Sequence, residues 1–359
     1  MGITPNFWRN KSVFLTGHTG FKGGWLASWL HQMGSHIHGY ALPPPTETNF
    51  YTETKLQQKL VNSVIGDIRD LSHVIKAISE AKPDIIFHMA AQPLVRQSYI
   101  APVETFSTNV MGTVNVLEAA RLSKSVKAIV NITTDKCYEN KEWLWPYREI
   151  DRLGGHDPYS SSKACAELVT DAYRKSFLSD AYIHLASVRA GNVIGGGDWA
   201  NDRLIPDFIR ALDRGQILKI RSPRAVRPWQ HVLEPLSGYL SLAEKLYIDG
   251  ESFATAWNFG PNDDDAKTVA WVVNKLCSSL PMSRWEAQID MQSHEASLLK
   301  LDSNKSKVLL GWSPRWNLET ALTETIGWYQ AWRNGENMEE FTSLQIERYG
   351  ASKYEKSTL

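Results

Sequence analysis

The sequence predicts an α/β fold: a doubly wound parallel sheet followed by a smaller mixed α/β C-terminal lobe. Three observations carry that prediction. Short apolar or β-branched runs at 12–15, 35–42, 61–65, 85–89, 129–132 and 182–188 alternate with helical stretches, the pattern of parallel strands joined by right-handed crossovers. A glycine-rich turn follows the first run directly, and beyond residue 190 the composition shifts towards glycine and arginine.

With 359 residues, 43% of them hydrophobic, the chain can bury a full core. Lys+Arg and Asp+Glu both number 39, so no global field selects nucleic acid or an anionic membrane. Cys137, Cys165 and Cys277 are odd in number and show no CxxC, which rules out a disulfide framework and fits a reducing cytoplasm. Met1 to Lys11 lacks the apolar core of a secretory signal, and no run approaches the ~18 apolar residues of a membrane span. No metal is expected. Fourteen tryptophans are many, and scattered aromatics belong more often to a core than to a cleft.

The first strand, Ser12 to Leu15, runs into Thr16-Gly17-His18-Thr19-Gly20-Phe21-Lys22-Gly23. Glycines at this spacing let the turn be tight and let backbone N–H groups approach a pyrophosphate, and the helix that follows, over 24–33, offers the same anion its positive end. Residues Gly17 to Gly23 are therefore a dinucleotide-binding candidate. The second strand ends Tyr40-Ala41-Leu42-Pro43, with neither a carboxylate for the adenosine ribose nor an arginine for a 2′-phosphate, so it leaves NAD and NADP equally open. After the third strand, Asp67, beside Ile68, is placed to accept from the adenine amino group; a helix N-cap is the competing role, and Asp70 fills that equally well. The fourth strand holds His88, expected to be a core histidine, and closes in Ala90-Ala91-Gln92, small enough for a dinucleotide to pass. A helix over 102–122 carries Asn109 on its buried face, where the amide must be paired and can fix a loop.

The fifth strand breaks into Thr133-Thr134-Asp135-Lys136, and Tyr159-Ser160-Ser161-Ser162-Lys163 opens a helix over 159–177. Four-residue spacing sets the Tyr159 phenol and the Lys163 ammonium on one helix face. The ammonium is expected to depress the phenol, making it a proton acceptor nearer neutral pH. If Asp135 and Lys136 continue the strand they point to opposite faces, which argues against a plain ion pair. The sixth strand ends Arg189-Ala190-Gly191-Asn192-Val193, and Gly195-Gly196-Gly197-Asp198-Trp199 is a loop. Arginines then crowd the chain, and Arg227-Pro228-Trp229-Gln230-His231 sets a guanidinium beside an aromatic, suited to a diphosphate with an adjoining ring. Helices are expected near 232–248, 267–278, 303–310 and 318–334. The expected division is a dinucleotide-binding domain over 1–190, a substrate lobe over 191–340 with strands free to cross between them, and a polar, frayed tail over 341–359.

These motifs resemble the extended short-chain dehydrogenase/reductases that act on nucleotide-sugars, over nearly the whole chain. Gly17, Gly20 and Gly23 fit that family's cofactor loop, Asp67 its adenine contact, Ala90 and Ala91 its fourth-strand turn, and Tyr159 with Lys163 its Tyr-x-x-x-Lys pair. Thr134-Asp135-Lys136 resembles the Thr-Asp-Glu of the family's sugar 4,6-dehydratases, with lysine replacing the glutamate. Together with Gln92-Pro93-Leu94-Val95-Arg96 and Gly197-Asp198-Trp199 it resembles the branch whose glucose is carried on CDP. The resemblance implies a Rossmann-type domain, NAD as cofactor, a nucleotide-sugar substrate and a homodimer built on helices 102–122 and 159–177. It further implies a place in deoxysugar biosynthesis of the lipopolysaccharide O-antigen type.

The implied chemistry is oxidation at C4 of the glucose, loss of water across C5 and C6, and return of the hydride to C6. Tyr159, Lys163 and Thr134 would serve the first step. Asp135 would be the acid and Lys136 the base of the elimination; the alternative keeps Lys136 charged, stabilising the enolate. By the same resemblance Asn192 and Arg227 would hold the diphosphate, Arg203 and Leu204 would border the nucleotide, and Ser98 and His231 are further substrate candidates. Other readings compete, and one is another nucleotide-sugar 4,6-dehydratase. A 4-epimerase shares the glycine loop and Tyr159/Lys163 but has no need of Asp135 and Lys136, and a cofactor-sensing protein would be marked by loss of Tyr159 or Lys163.

Overall fold

Seven parallel strands form the central sheet of the computed structural model, which describes residues 3–280, 283–288 and 298–352. They are β1 (Ser12–Thr16), β2 (His36–Ala41), β3 (Asn62–Ile65), β4 (Ile85–His88), β5 (Ala128–Ile132), β6 (His184–Ala190) and β7 (Ala256–Phe259), in spatial order β3-β2-β1-β4-β5-β6-β7. The order reverses between β1 and β4, and open α/β sheets bind ligands at the carboxyl edge of such a switch point. Thr16 stands opposite His88 across that junction, so the glycine loop and Ala90-Ala91-Gln92 leave the sheet at one level.

Both faces of the sheet are covered. Val13, Leu15, Val130 and Val188 join one core, while their neighbours Phe14, Ile129 and Leu185 join a second on the opposite face. A strand buried on both sides reads as an unbroken apolar run, which is why these strands are visible in the sequence. The major helices are α1 (Phe21–Gln32), α2 (Leu71–Ala81), α3 (Gly112–Leu122), α4 (Pro158–Tyr173), α5 (Leu204–Asp213), α6 (Leu233–Asp249), α7 (Val269–Ser279), α8 (Leu318–Arg333) and α9 (Met338–Ala351).

Three features depart from the sequence reading. The helix expected over 102–122 is Pro102–Phe106, a π-type turn over Ser107–Met111 and then α3; the wide turn contains Asn109. Strand β7 comes from beyond residue 190 and pairs with β6, so the arginine-rich half of the chain completes the sheet. The expected frayed tail is corrected by α9, whose Met338, Thr342, Gln345, Ile346 and Tyr349 are buried. That buried stripe is half polar, and hydropathy alone misses it. The rest of the expected tail, 353–359, lies outside the described residues.

Tyr349 shows what holds α9. Its ring meets Trp29 of α1 and Trp316 edge-on, at 5.6 and 5.0 Å, and its hydroxyl donates to Glu234 Oε2 at 2.7 Å. Glu234, fully buried on α6, also accepts the backbone N–H groups of Arg315 and Trp316. Trp8, Trp25, Trp257, Trp312 and Trp328 are likewise fully buried, the core role expected of most tryptophans. Tyr349→Phe keeps the ring and removes one donor to a buried carboxylate. The expected cost is about 1–3 kcal/mol, seen as a lower urea midpoint at an unchanged m-value.

Candidate active site

Thr16 closes β1 by accepting the N–H groups of Met89 (3.0 Å) and Ala90 (3.1 Å), which stitches the glycine loop to the end of β4. The close approach dictates glycine. Gly17 has φ +81°, and a Cβ there would lie 2.9 Å from Ala90 N; at Gly23 it would lie 2.1 Å from Gly17 O. Helix α1 then starts with no side-chain cap and no acidic residue in its first turn, so its leading N–H groups are free of carboxylate competition. Such an N-terminus fits the pyrophosphate of a dinucleotide. His18 and Thr19 serve this loop from behind: His18 Nε2 bonds Ser63 Oγ at 2.8 Å, burial pushes its imidazole down to about 4, and Thr19 Oγ1 donates to Leu42 O at 2.8 Å.

The adenosine side is tightly tied. Asp70, not Asp67, caps α2, accepting His73 N at 3.1 Å. Asp67 instead takes the Arg69 guanidinium, at 2.8 Å from Nε, and this hydrogen bonding holds its carboxyl below the usual range. Ile68 packs where a Cβ on Gly112 would clash, 2.4 Å from Ile68 Cδ1. Asn109 accepts Gln92 N (2.8 Å) and donates to Gln92 O (3.1 Å) and Ser162 Oγ (2.9 Å), fixing the Ala90-Ala91-Gln92 turn against α4. His88 is the satisfied core histidine expected, between Thr16 (2.8 Å) and Thr113 (3.2 Å).

At the end of β5 the structure corrects one premise. The strand stops at Ile132, and Asp135–Cys137 is a 3-10 turn capped by Thr134, so strand alternation does not separate Asp135 from Lys136. Both line the cleft. Thr134 Oγ1 donates to Asp135 Oδ1 at 3.0 Å and hydrogen-bonds the Tyr159 phenol. Among the described residues Asp135 Oδ2 has no hydrogen-bond partner. It lies over Gly191, where a Cβ would come within 3.2 Å of it. Burial raises the Asp135 carboxyl, against the opposing pull of Lys136, Thr134 and Arg227.

A second correction concerns Tyr159. Burial pushes the phenol up to about 12, with the Thr134 hydrogen bond opposing, so the expected depression is not present. Lys163 does not supply it because its Nζ donates to Ile132 O at 3.2 Å, and burial pushes the ammonium itself down to about 8. Lys22, across the cleft on α1, is lowered to about 7, first by burial and then by the charges of Arg203 and Lys163, while Asp135 opposes.

These groups line one cleft of about 720 Å³, the size of a small-molecule site. Phe21, Lys22 and Ala91 line it, and Asn192, Leu204 and Arg227 stand in its wall with Arg203, which Asp198 pairs at 2.9 Å and thereby raises. Two substrate candidates do not reach it. Ser98 is buried on the inner face of a short helix and donates to Val95 O at 2.6 Å, while Arg96 and Tyr99 of that helix line the cleft. His231 is fully buried between Trp25 and Trp316, at 5.9 and 4.9 Å, because its strand carries it beneath α1; burial pushes it down to about 3. Arg221 also lines the cleft but was only one arginine among many in the sequence, and Tyr99 gave no signal.

A family model described as GDP-mannose 4,6 dehydratase matches residues 14–325. The chain belongs to that family. The nucleotide-sugar dehydratase resemblance of its motifs agrees with this. The chain is 52% identical over 353 residues to the CDP-glucose 4,6-dehydratase of Salmonella typhimurium, covering 97% of this chain and 98% of that protein. To the dTDP-glucose 4,6-dehydratase of Escherichia coli it is 26% identical over 289 residues, 74% of this chain and 78% of that one. Two solved structures share the fold. The dTDP-glucose 4,6-dehydratase of Bacillus anthracis in complex with NAD superposes with a TM-score of 0.72 at 23% identity, covering 90% and 98% of the two chains. The UDP-glucose 4-epimerase of Thermotoga maritima with UDP-glucose gives 0.77 at 20% identity, covering 89% and 99%.

For this member of the GDP-mannose 4,6-dehydratase family, Gly23→Ala is the direct test of the loop. The new methyl group would meet Gly17 O at 2.1 Å and force the turn open. The expected result is a loss of dinucleotide affinity of about tenfold or more, measured by titrating the variant and following tryptophan fluorescence.

Proposed function

We propose that this chain is an NAD-dependent CDP-glucose 4,6-dehydratase, a hydro-lyase converting CDP-glucose to CDP-4-keto-6-deoxyglucose and water. The observation that carries the reading is Asp135: a buried carboxyl with one oxygen unpartnered, raised by burial, beside Lys136 and joined through Thr134 to Tyr159. A C4 redox reaction alone has no use for that acid. The 52% identity to a CDP-glucose 4,6-dehydratase supports the nucleotide, and the related dehydratase in complex with NAD supports the cofactor.

Gly17 to Gly23 and the first turn of α1 would hold the NAD pyrophosphate. When bound there, NAD would supply a reversible hydride acceptor for the sugar. Tyr159 takes the C4 hydroxyl proton, with the Thr134 hydroxyl beside it. The 4-ketone then acidifies the C5 proton, and Lys136, which lines the cleft beside Asp135, is the candidate base for it. Burial raises the Asp135 carboxyl, the direction an acid working near neutral pH requires, and Asp135 delivers its proton to the C6 hydroxyl as water leaves. Asn192 and Arg227 hold the diphosphate, with Arg203 and Leu204 towards the nucleotide. A product of this kind is an early intermediate of deoxysugar biosynthesis, including that for lipopolysaccharide.

The protein is proposed to act as a cytoplasmic homodimer. Its three cysteines are free thiols, and among the described residues no helix is long and apolar enough to cross a membrane. Val103 (81% exposed) and Met111 on the segment before α3, with Leu168 (61%) and Phe177 on and after α4, are exposed apolar side chains on the two predicted dimer helices. Val103→Asp with Leu168→Asp should give a monomer by sedimentation velocity.

Incubation with CDP-, dTDP-, UDP- and GDP-glucose and NAD tests the reaction; a 4-keto-6-deoxy product from CDP-glucose alone is expected, and a C4 epimer would overturn the reading. In Lys136→Met, bound cofactor should still be reduced by substrate while solvent deuterium no longer enters C5. Tyr159→Phe should block the reduction itself.

A further inference from the structure

One turn beyond Lys163, on the same face of α4, Glu167 enters a network that the mechanism above does not use. Its carboxylate meets Arg189 of β6 in a fork, Nε to Oε1 at 2.9 Å and Nη2 to Oε2 at 2.8 Å, and both side chains are 3% exposed. Thr133 Oγ1 donates to Oε1 at 2.5 Å and Ser187 Oγ to Oε2 at 2.6 Å. Arg189 continues to the Tyr138 hydroxyl at 2.8 Å. Both oxygens of Glu167 are thus held by the carboxyl ends of β5 and β6, and Thr133 is the residue before Thr134.

We propose that Glu167 is a positioning residue for the C4 redox step: its anchored carboxylate fixes α4 against β5 and keeps Lys163 in the charged form. The proposal rests on the dehydratase reading of the site. A carboxylate this deep persists as an anion only because its partners answer burial, and Arg189, Ser187 and Thr133 hold it below the usual range. Burial drives Lys163 the other way, towards the neutral amine, and Glu167 is the foremost opposing charge. The other titratable groups near Lys163 supply no standing second anion: Tyr159, one turn earlier on α4, is a phenol that burial pushes up to about 12, Cys137 of the 3-10 turn is a thiol that burial raises, His88 of β4 is pushed down to about 3, and Lys22 of α1 is basic. Removing the charge of Glu167 should therefore lower Lys163 further. The redox step would then lose its charged lysine at a lower pH than in the parent.

The test is single-turnover reduction of bound NAD by CDP-glucose across pH, followed by the absorbance of reduced nicotinamide. The parent protein is the first control: no reduction there refutes the dehydratase reading and not this one. Glu167→Gln keeps the side-chain shape and should shift the alkaline limb downward by about one pH unit or more. A buried Arg189 left alone can unfold that variant, so Glu167→Gln with Arg189→Gln removes both charges and should shift the limb in the same direction. Thr133→Val removes a donor and keeps the carboxylate, and should slow the step with the limb in place. An unmoved limb in whichever charge-removing variant folds, or an equal shift in Thr133→Val, overturns the proposal.

Discussion

Glu167 and Arg189 form a bidentate pair at the carboxyl edge of the sheet, out of reach of water. An ion pair there is costly to desolvate and is retained only where several donors complete it. Thr133, Ser187 and Tyr138 do so here, and they come from β5, β6 and the turn that carries Asp135. The pair therefore joins the helix bearing Tyr159 and Lys163 to the strand end bearing Thr134 and Asp135. Arg189 also stacks over Tyr138 at 4.8 Å, and Tyr138 hydrogen-bonds Asn258 of β7 at 2.7 Å, so the last strand is tied into the same network.

Burial governs the chemistry of the cleft as well. A single cause moves its groups in opposite directions: Asp135 and Tyr159 rise while Lys22 and Lys163 fall. All four are thereby biased towards their uncharged forms. For the carboxyl and the two lysines this brings titration closer to neutral pH, where proton transfer to and from a substrate is most efficient. Arg203 and Arg227 stand at the cleft wall as guanidinium groups, which burial does not neutralise.

Much of this was legible in the sequence. The strands could be read because residues such as Val13, Phe14 and Leu15 are apolar on both faces, and the glycine loop because Gly17 and Gly23 have no steric alternative. Tyr159 and Lys163 were readable from helical spacing. Lys163's use of a donor on Ile132 O was not, since no spacing reports the depth of burial that set the phenol's titration. Asp135 and Lys136 stood out where the apolar run breaks, but the sequence did not show that the break is a 3-10 turn, so strand alternation was applied to them. Ser98 and His231 failed because a residue's neighbours in sequence do not say which way a short element turns it. Glu167 went unremarked as a glutamate on a helix, and its meaning depends on Arg189, 22 residues away.

The sheet order has a consequence for synthesis. Three buried indoles leave the ribosome long before their partners: Trp8 donates to Glu244 at 2.7 Å, Trp25 to Gly196 O at 2.9 Å, and Trp29 packs on Tyr349. Strand β7 and helix α9 complete the molecule from its final third. Such long sequence separation makes closure slow and leaves the indole face of α1 uncovered while most of the polypeptide is still being translated. In the nascent chain, that face is where a holding chaperone would bind and where premature aggregation would begin.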